Sequence, residues 1–337
     1  MKRTLYIGIL LVVALMSSCD RGNDIPMGNP KEIAFSANHV SRALTQTDID
    51  NGVATVKVCG VQNNTNDIFD NVNIYRDDET GKWFPTYKRN WVEGSNYSFH
   101  GYAYNTTNGL TFLLDKDDKI KDGLEIEVQQ PTYYDGAVFI DYLLSHSFKV
   151  TDGAMKPIVQ LDLEHAMTLV DIYVVRGNMF EARLKSATFE NIYTGGTMKC
   201  SEQAIANSGG KNIWDITPSG SRDVVYTYAP TPAAEIGDSR ESTGVRMSIM
   251  CLPQQLTANA RLTIVYEVNE KVTTESADNY VEHTESFQLY NYNPMTYQPG
   301  HHIVYTATVD SGVNLEGVVV EWKDVDYVEG TVLPEIK

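Results

Sequence analysis

The sequence predicts an all-β protein whose body is two β-sandwiches in tandem. Three observations carry that reading. Short runs with period-two alternation follow one another along most of the chain. Gly, Pro, Asn or Asp punctuates most of the gaps between them, and no 3.6-residue apolar pattern extends over three turns. Composition agrees. The 20 tyrosines and the many Val, Ile and Thr residues favour strands, and 337 residues at 42% hydrophobic content suit two cores better than one.

Taken in order, the first 18 residues are a secretion signal rather than part of the fold. Lys2 and Arg3 supply the charged start, "LYIGILLVVALM" the apolar stretch, and Ser17 and Ser18 the small residues before Cys19. The apolar run is short for a membrane-spanning helix. A cysteine directly after small residues resembles a bacterial lipobox, so Cys19 is the candidate lipidation site; the alternative is an ordinary signal peptide with an incidental cysteine. Residues 19–42 then form a tether and a first strand. "DRGNDIPMGNPK" is polar and rich in Pro and Gly, whereas in "EIAFSANHVSRAL" Ile33, Phe35 and Ala37 alternate before a lone Arg42, a trypsin-like cut site followed by Ala43.

The N-terminal sandwich is expected over 43–154. Its strands are "ATVKVCGV" (54–61), a hairpin in "NVNIYRDDETGKWFPT" (71–86) that turns at Gly81, and "NYSFHGYAY" (96–104) with Tyr97, Phe99, Gly101 and Ala103 on one face. "LEIEVQQ" (124–130) alternates again, and "FIDYLLSHSFKV" (139–150) is ambiguous. The turn-rich "TDGAMKP" (151–157) marks the break, and the C-terminal sandwich follows over 155–337. It opens with "IVQLDLEHAMTLVDIYVV" (158–175), whose alternation at Val159, Leu161, Leu163 and His165 passes into an apolar run. Further strands are expected in 183–193, 223–230, 245–256, 260–270, 284–292, 301–309 and 316–325. No 20–50-residue period repeats, which disfavours propellers and solenoids.

The chemistry that motifs could announce is missing. A formal charge of −17 argues against a nucleic-acid binder, which would need a basic face. No G-x-S-x-G, P-loop, G-x-G-x-x-G or H-E-x-x-H occurs, so no catalytic residue, cofactor or metal is assigned. Cys59, Cys200 and Cys251 are too scattered for a zinc site and read as small buried hydrophobes, with one disulfide pair left open. His301 and His302 are adjacent on a strand and point to opposite faces, so they do not chelate one ion together. "DKDDKIKDGLE" (115–125) fails the calcium-loop pattern, with Lys119 and Ile120 where a ligand and a glycine belong. Asp77, Asp78 and Glu79 sit on a turn, where Asp is expected for backbone bonding. Trp83, Trp91, Tyr87 and Tyr97 offer an aromatic platform for sugar stacking, against the plainer reading as core and cross-strand pairs.

Seven segments occur in an order that resembles the fimbrillin family of Bacteroides-type bacteria: "EIAFSANHVSRAL", "WFPTYKRNWVEGSNYSFHGYAY", "DYLLS", "VQLDLEHAMTLVDIYVV", "CLPQQL", "YQPGHHIVYTATV" and "VVVEWKDV". The resemblance covers essentially all of the chain after the signal. It departs at His301–His302, where an aromatic-rich start is more usual, and at the Gly/Ser-rich 205–222. It implies two transthyretin-like (Greek-key) β-sandwich domains in a pilus subunit or pilus-associated protein, exported as an outer-membrane lipoprotein and displayed at the cell surface. It also implies an arginine-specific protease that cuts in the N-terminal segment, here matched by Arg42. Removing the strand before the cut would open a groove for an extended strand from a neighbouring subunit. A sandwich missing an edge strand exposes unpaired amides beside an apolar slot, and any alternating strand can fill it.

On this reading Ile33, Phe35 and Ala37 form a removable plug. The candidate donor is "YVEGTVLPEIK" (327–337), with Val328, Val332 and Ile336 on one face and Pro334 tolerable at an edge; the alternative is a frayed tail or a last strand of its own domain. Partners are other fimbrial subunits in a homo- or heteropolymer, and a host protein or glycan receptor. Stalk, anchor and tip roles stay open, beside the different reading of a monomeric surface lipoprotein that binds glycans through its aromatics.

Overall fold

The computed structural model describes residues 31–39, 54–105, 125–130, 142–145, 148–177, 181–200, 214–219, 225–244, 246–270, 279–292, 294–310 and 313–321. Expectations for Cys19, Arg42, Ala43, the acidic 115–124 segment, Val328, Val332 and Ile336 lie outside them. Within the described residues the fold is all-β, and its longest helix is the single turn α1 (Arg240–Thr243).

The first sheet is assembled from β1 (Phe35–His39), β2 (Ala54–Gln62), β3 (Asn66–Arg76), β4 (Trp83–Pro85), β5 (Tyr97–Asn105), β7 (Tyr142–Ser145), β8 (Phe148–Val150) and β9 (Val159–His165). Its order is β2-β3-β4-β1-β9-β7-β5-β8, and β5 also pairs with β2, so the path from β2 to β5 closes on itself. The local chemistry is as the sequence reads. The β3–β4 turn is held by Asp77, whose Oδ1 accepts from the Thr80 amide and hydroxyl, both at 2.8 Å, and Gly81 takes φ +66° there. Tyr97, Phe99 and Ala103 share a buried face, and a Cβ at Gly101 would stand 2.8 Å from Leu161 Cδ1.

Alternation governs where the chain changes sheet. β9 buries Val159, Leu161, Leu163 and His165, whereas β10 (Thr168–Arg176) buries Thr168, Val170, Ile172 and Val174. The buried set moves from odd to even positions across Ala166–Met167, so the 158–175 run is two strands in two sheets. β10 lies in a sheet of order β16-β10-β19-β20, with β16 (Met247–Cys251), β19 (His301–Val309) and β20 (Val313–Glu321). A second sheet, β14-β11-β17-β18 with β15 on β11, comprises β11 (Ala182–Glu190), β14 (Val225–Tyr228), β15 (Ala234–Glu235), β17 (Arg261–Asn269) and β18 (Tyr280–Gln288). The core faces of these two sheets share one buried cluster around Ile172, Leu184, Leu262, Ile264 and Tyr305.

Two pairings cut across the expected break at 154/155. β9 hydrogen-bonds into the first sheet, and β6 (Glu125–Gln129) pairs with β12 (Gly195–Cys200), itself paired with β13 (Trp214–Ser219). Gly196 makes β12 possible, since a Cβ there would meet the Thr217 carbonyl at 2.6 Å and Leu252 Cδ2 at 2.8 Å.

One close approach locks the end of the first sheet. A Cβ on Gly153 would lie 2.2 Å from the Val92 carbonyl oxygen, while the Gly153 amide donates to Ser95 O at 2.9 Å. Gly153→Ala is therefore expected to lower unfolding stability by about 3 kcal/mol, the upper end for overpacking, because a backbone carbonyl cannot swing aside. A denaturant titration should show the midpoint falling at unchanged slope.

Candidate functional site: the slot held by the first strand

The 31–39 segment is not an edge. β1 runs parallel to β9 in continuous register, from Phe35 opposite Val159 to His39 opposite Leu163, and meets β4 on its other side at Phe35–Trp83. Just before the strand, the Ile33 amide donates to Arg89 O at 2.8 Å, the Trp91 amide to Lys31 O at 2.7 Å, and the Val159 amide to Ala34 O at 2.9 Å. The segment therefore satisfies backbone groups on both flanks, and its loss would open the sheet in its middle.

The side chains fill the same slot. Ile33 and Phe35 are 0% exposed and Ala37 4%. The Phe35 ring meets Phe69 and Phe99 edge-on, each with centroids 5.7 Å apart. Gly60 makes room for that group, since a Cβ there would stand 2.9 Å from Phe99 Cδ1 and 3.0 Å from Phe69 Cδ2. At Ala37 the slot is shallow, because its register partner Leu161 already fills the space above Gly101. One feature works against tight retention. The Glu32 side chain is only 7% exposed, and its Oε2 sits 3.2 Å from Lys88 Nζ, but its Oε1 is buried without a hydrogen-bond partner.

The saccharide platform is overturned. Trp83, Trp91 and Tyr97 are 5%, 6% and 4% exposed. Trp91 packs edge-on against Tyr97 at 4.8 Å, and Tyr97 stacks on Phe99, so these rings belong to the core beneath β1 and cannot receive a sugar. Tyr87 alone of the four is exposed, and its ring is covered by the Arg89 guanidinium at 4.7 Å.

The polar clusters elsewhere are structural in geometry. Asp171 accepts from Ser248 Oγ at 2.6 Å and pairs with His302 Nε2 at 2.8 Å, so the carboxylate sits between serine and histidine and no base faces the hydroxyl. His301 projects to the other face of β19, and burial pulls its pKa down. Burial pushes the Cys59 thiol up to about 12 and the Cys251 thiol higher, which leaves both un-ionised and unreactive. No group of three His, Cys, Asp or Glu side chains converges on a metal position among the described residues.

This geometry accords with the comparisons. The profile of the fimbrillin-like family matches residues 41–322. The chain belongs to the fimbrillin-like family. Among solved structures, it is similar to a fimbrial protein from Bacteroides vulgatus at 13% identity, with TM-score 0.56 and coverage of 86% of this chain and 99% of that one. It is also similar to a candidate cell adhesion protein from Bacteroides uniformis at 14% identity, with TM-score 0.54 and coverage of 87% and 99%. At such identities the likeness speaks to the fold. The comparison with curated proteins returns no match. In this fimbrillin-like chain Ile33, Phe35 and Ala37 lie upstream of the matched span, whereas the residues that wall their slot, Phe69, Phe99 and Leu161 among them, lie within it.

Two measurements probe the site. Phe35→Ala removes the central ring of the aromatic group and should cost about 3–5 kcal/mol, read by chemical denaturation together with faster hydrogen exchange at the Val159 amide. His100, buried on β5 with Nδ1 unpartnered, is held at a pKa of about 4 by burial first and by Lys149 second. Its folded value lies below the ordinary imidazole value of 6.5, so its share of stability is complete above pH 6.5 and is lost as pH falls through 4. Below both values that loss amounts to about 3 kcal/mol. Unfolding midpoints from pH 7 down to 4 should trace it, and His100→Gln should flatten the curve.

Proposed function

We propose that this chain is a structural or accessory component of a bacterial surface fimbria, joined to its neighbours by strand exchange and supporting adhesion. Family membership supports a fimbrial or adhesion-related role at the cell surface. The observation that carries the finer reading is the place of β1. The first described strand of the chain occupies the middle of a closed sheet, and a run of residues containing Arg42 separates it from the next described strand.

On this reading the protein is exported with a signal at residues 1–18, acylated at Cys19 and carried to the outer membrane. An arginine-specific protease cuts between Arg42 and Ala43. The lipidated leader, with Ile33, Phe35 and Ala37, then leaves, and a strand from a neighbouring subunit takes its place. The strand 327–337, through Val328, Val332 and Ile336, is the candidate donor towards another subunit. Two sandwich units form the body, and the sheet pairings favour a division between His165 and Thr168 over one at 154/155. The chemistry asked of the protein is binding alone, because β-augmentation needs only a row of free amides and an apolar slot.

Mass spectrometry of the mature N-terminus tests the maturation steps. Surface-assembled material should begin at Ala43, and its precursor at acylated Cys19. Arg42→Ala should leave precursor in the membrane fraction and abolish polymer ladders; normal ladders from that variant would exclude cleavage at Arg42.

A further inference from the structure

We infer that the slot held by β1 selects its occupant through an aromatic side chain at the Phe35 position, and that the strand replacing β1 is not the 322–337 segment of a second copy of this chain. This rests on the exchange reading above and names the partner for the same site.

The slot has a shape that not every alternating strand matches. At Phe35 it is deep and aromatic, walled by Phe69 and Phe99, with Gly60 leaving room behind them. Two residues earlier, Ile33 is fully buried and aliphatic. Two residues later, Ala37 is 4% exposed opposite Leu161, so only a small side chain fits. The complementary strand is therefore apolar–x–aromatic–x–small, with no charge at any of the three inward positions.

The chain's own C-terminal sequence does not supply that pattern. Between residues 322 and 337 the aromatic residues are Trp322 and Tyr327. Two positions from Trp322 stand Val320 and Asp324, and two positions from Tyr327 stand Val325 and Glu329. In either strand direction, an aromatic ring in the deep part of the slot carries a carboxylate into the site of Ile33 or Ala37, where both native side chains are buried. The register that avoids carboxylates is Val328, Gly330, Val332, Pro334 and Ile336. It offers nothing larger than Val or Ile between Phe69 and Phe99, leaves a cavity there, and removes a ladder donor at Pro334. The segment is thus a poor fit to this slot. The fitting occupant is an extended segment of a neighbouring subunit that carries an aromatic residue flanked at two positions by an aliphatic and a small one.

The experiment uses the full chain, nicked at Arg42 by limited digestion with an arginine-specific protease, with a fluorescent copy of the 31–42 peptide exchanged into the slot. Unlabelled competitors are the 31–42 peptide, its Phe35→Val form, the 322–337 peptide, and that peptide with Gly330→Phe and Val332→Ala. The native leader peptide should displace the label. The Phe35→Val form and the 322–337 peptide should each need roughly 30-fold more, about 2 kcal/mol. The doubly substituted tail should recover most of the difference. A native tail that competes as well as the leader overturns the exclusion of the tail. A Phe35→Val peptide that competes as well as the leader overturns aromatic selection. Failure of the labelled leader peptide to enter the slot at all overturns the exchange reading, and this inference with it.

Discussion

The first sheet closes because a strand from far upstream lies between β4 and β9. Neither neighbour can reach the other: β4 is three residues long and turns back to β3, and β9 pairs away from it to β7. The gap is one strand wide and lined with apolar side chains, and amides on both sides await partners. Everything around it is arranged on the assumption that it is filled. Trp91, Tyr97 and Phe99 stack beneath it, Gly60 and Gly101 give up their side chains so that Phe99 and Leu161 can approach, and the segment from Arg89 to Trp91 bonds to Lys31 and Ile33. An empty slot of this kind would be unstable and adhesive to any free strand, which is why occupancy rather than composition governs the state of the molecule.

Occupancy has a generic part and a specific part. Backbone pairing to β9 and to the 83–91 segment is available to any extended chain, so it sets affinity without identity. Identity resides in the side chains, above all in the depth of the Phe35 site and the shallowness of the Ala37 site. Glu32 bears on retention instead. Its half-paired buried carboxylate weakens the hold of the leader by an amount on the order of the 1–3 kcal/mol that an unsatisfied buried group costs. A leader that is covalently continuous with its sheet tolerates that loss, because its local concentration is high.

Much of this was legible in the sequence, for reasons that can be assigned to particular residues. Ile33, Phe35 and Ala37 announced a strand because a buried face in a sheet repeats every two residues, and Asp77 with Gly81 announced the turn between β3 and β4. The switch between β9 and β10 was also written there, as a one-residue change of phase between Leu163 and Val170, but a continuous apolar run masks phase. The strand β12 was hidden by its two glycines, which normally mark a turn and here permit a close backbone approach. The parallel pairing of β1 with β9 could not be read at all, since its partners lie more than a hundred residues apart and nothing local encodes them. The aromatic residues were ambiguous for a related reason. Trp83, Trp91 and Tyr97 have the composition of a sugar platform, and only their depth assigns them to the core.

The absence of assigned chemistry and the presence of the slot are linked by the same physics. A catalytic site in a β-sandwich needs polar groups that converge in a cleft with shifted pKa values. Here the buried thiols and tyrosines are shifted towards their neutral forms, and the Asp171–His302–Ser248 group spends its hydrogen bonds on itself. What the described residues show instead is an apolar interior filled by β1. Such a site is invisible to motif searches, because its recognition elements are ordinary core residues such as Phe69, Phe99 and Leu161.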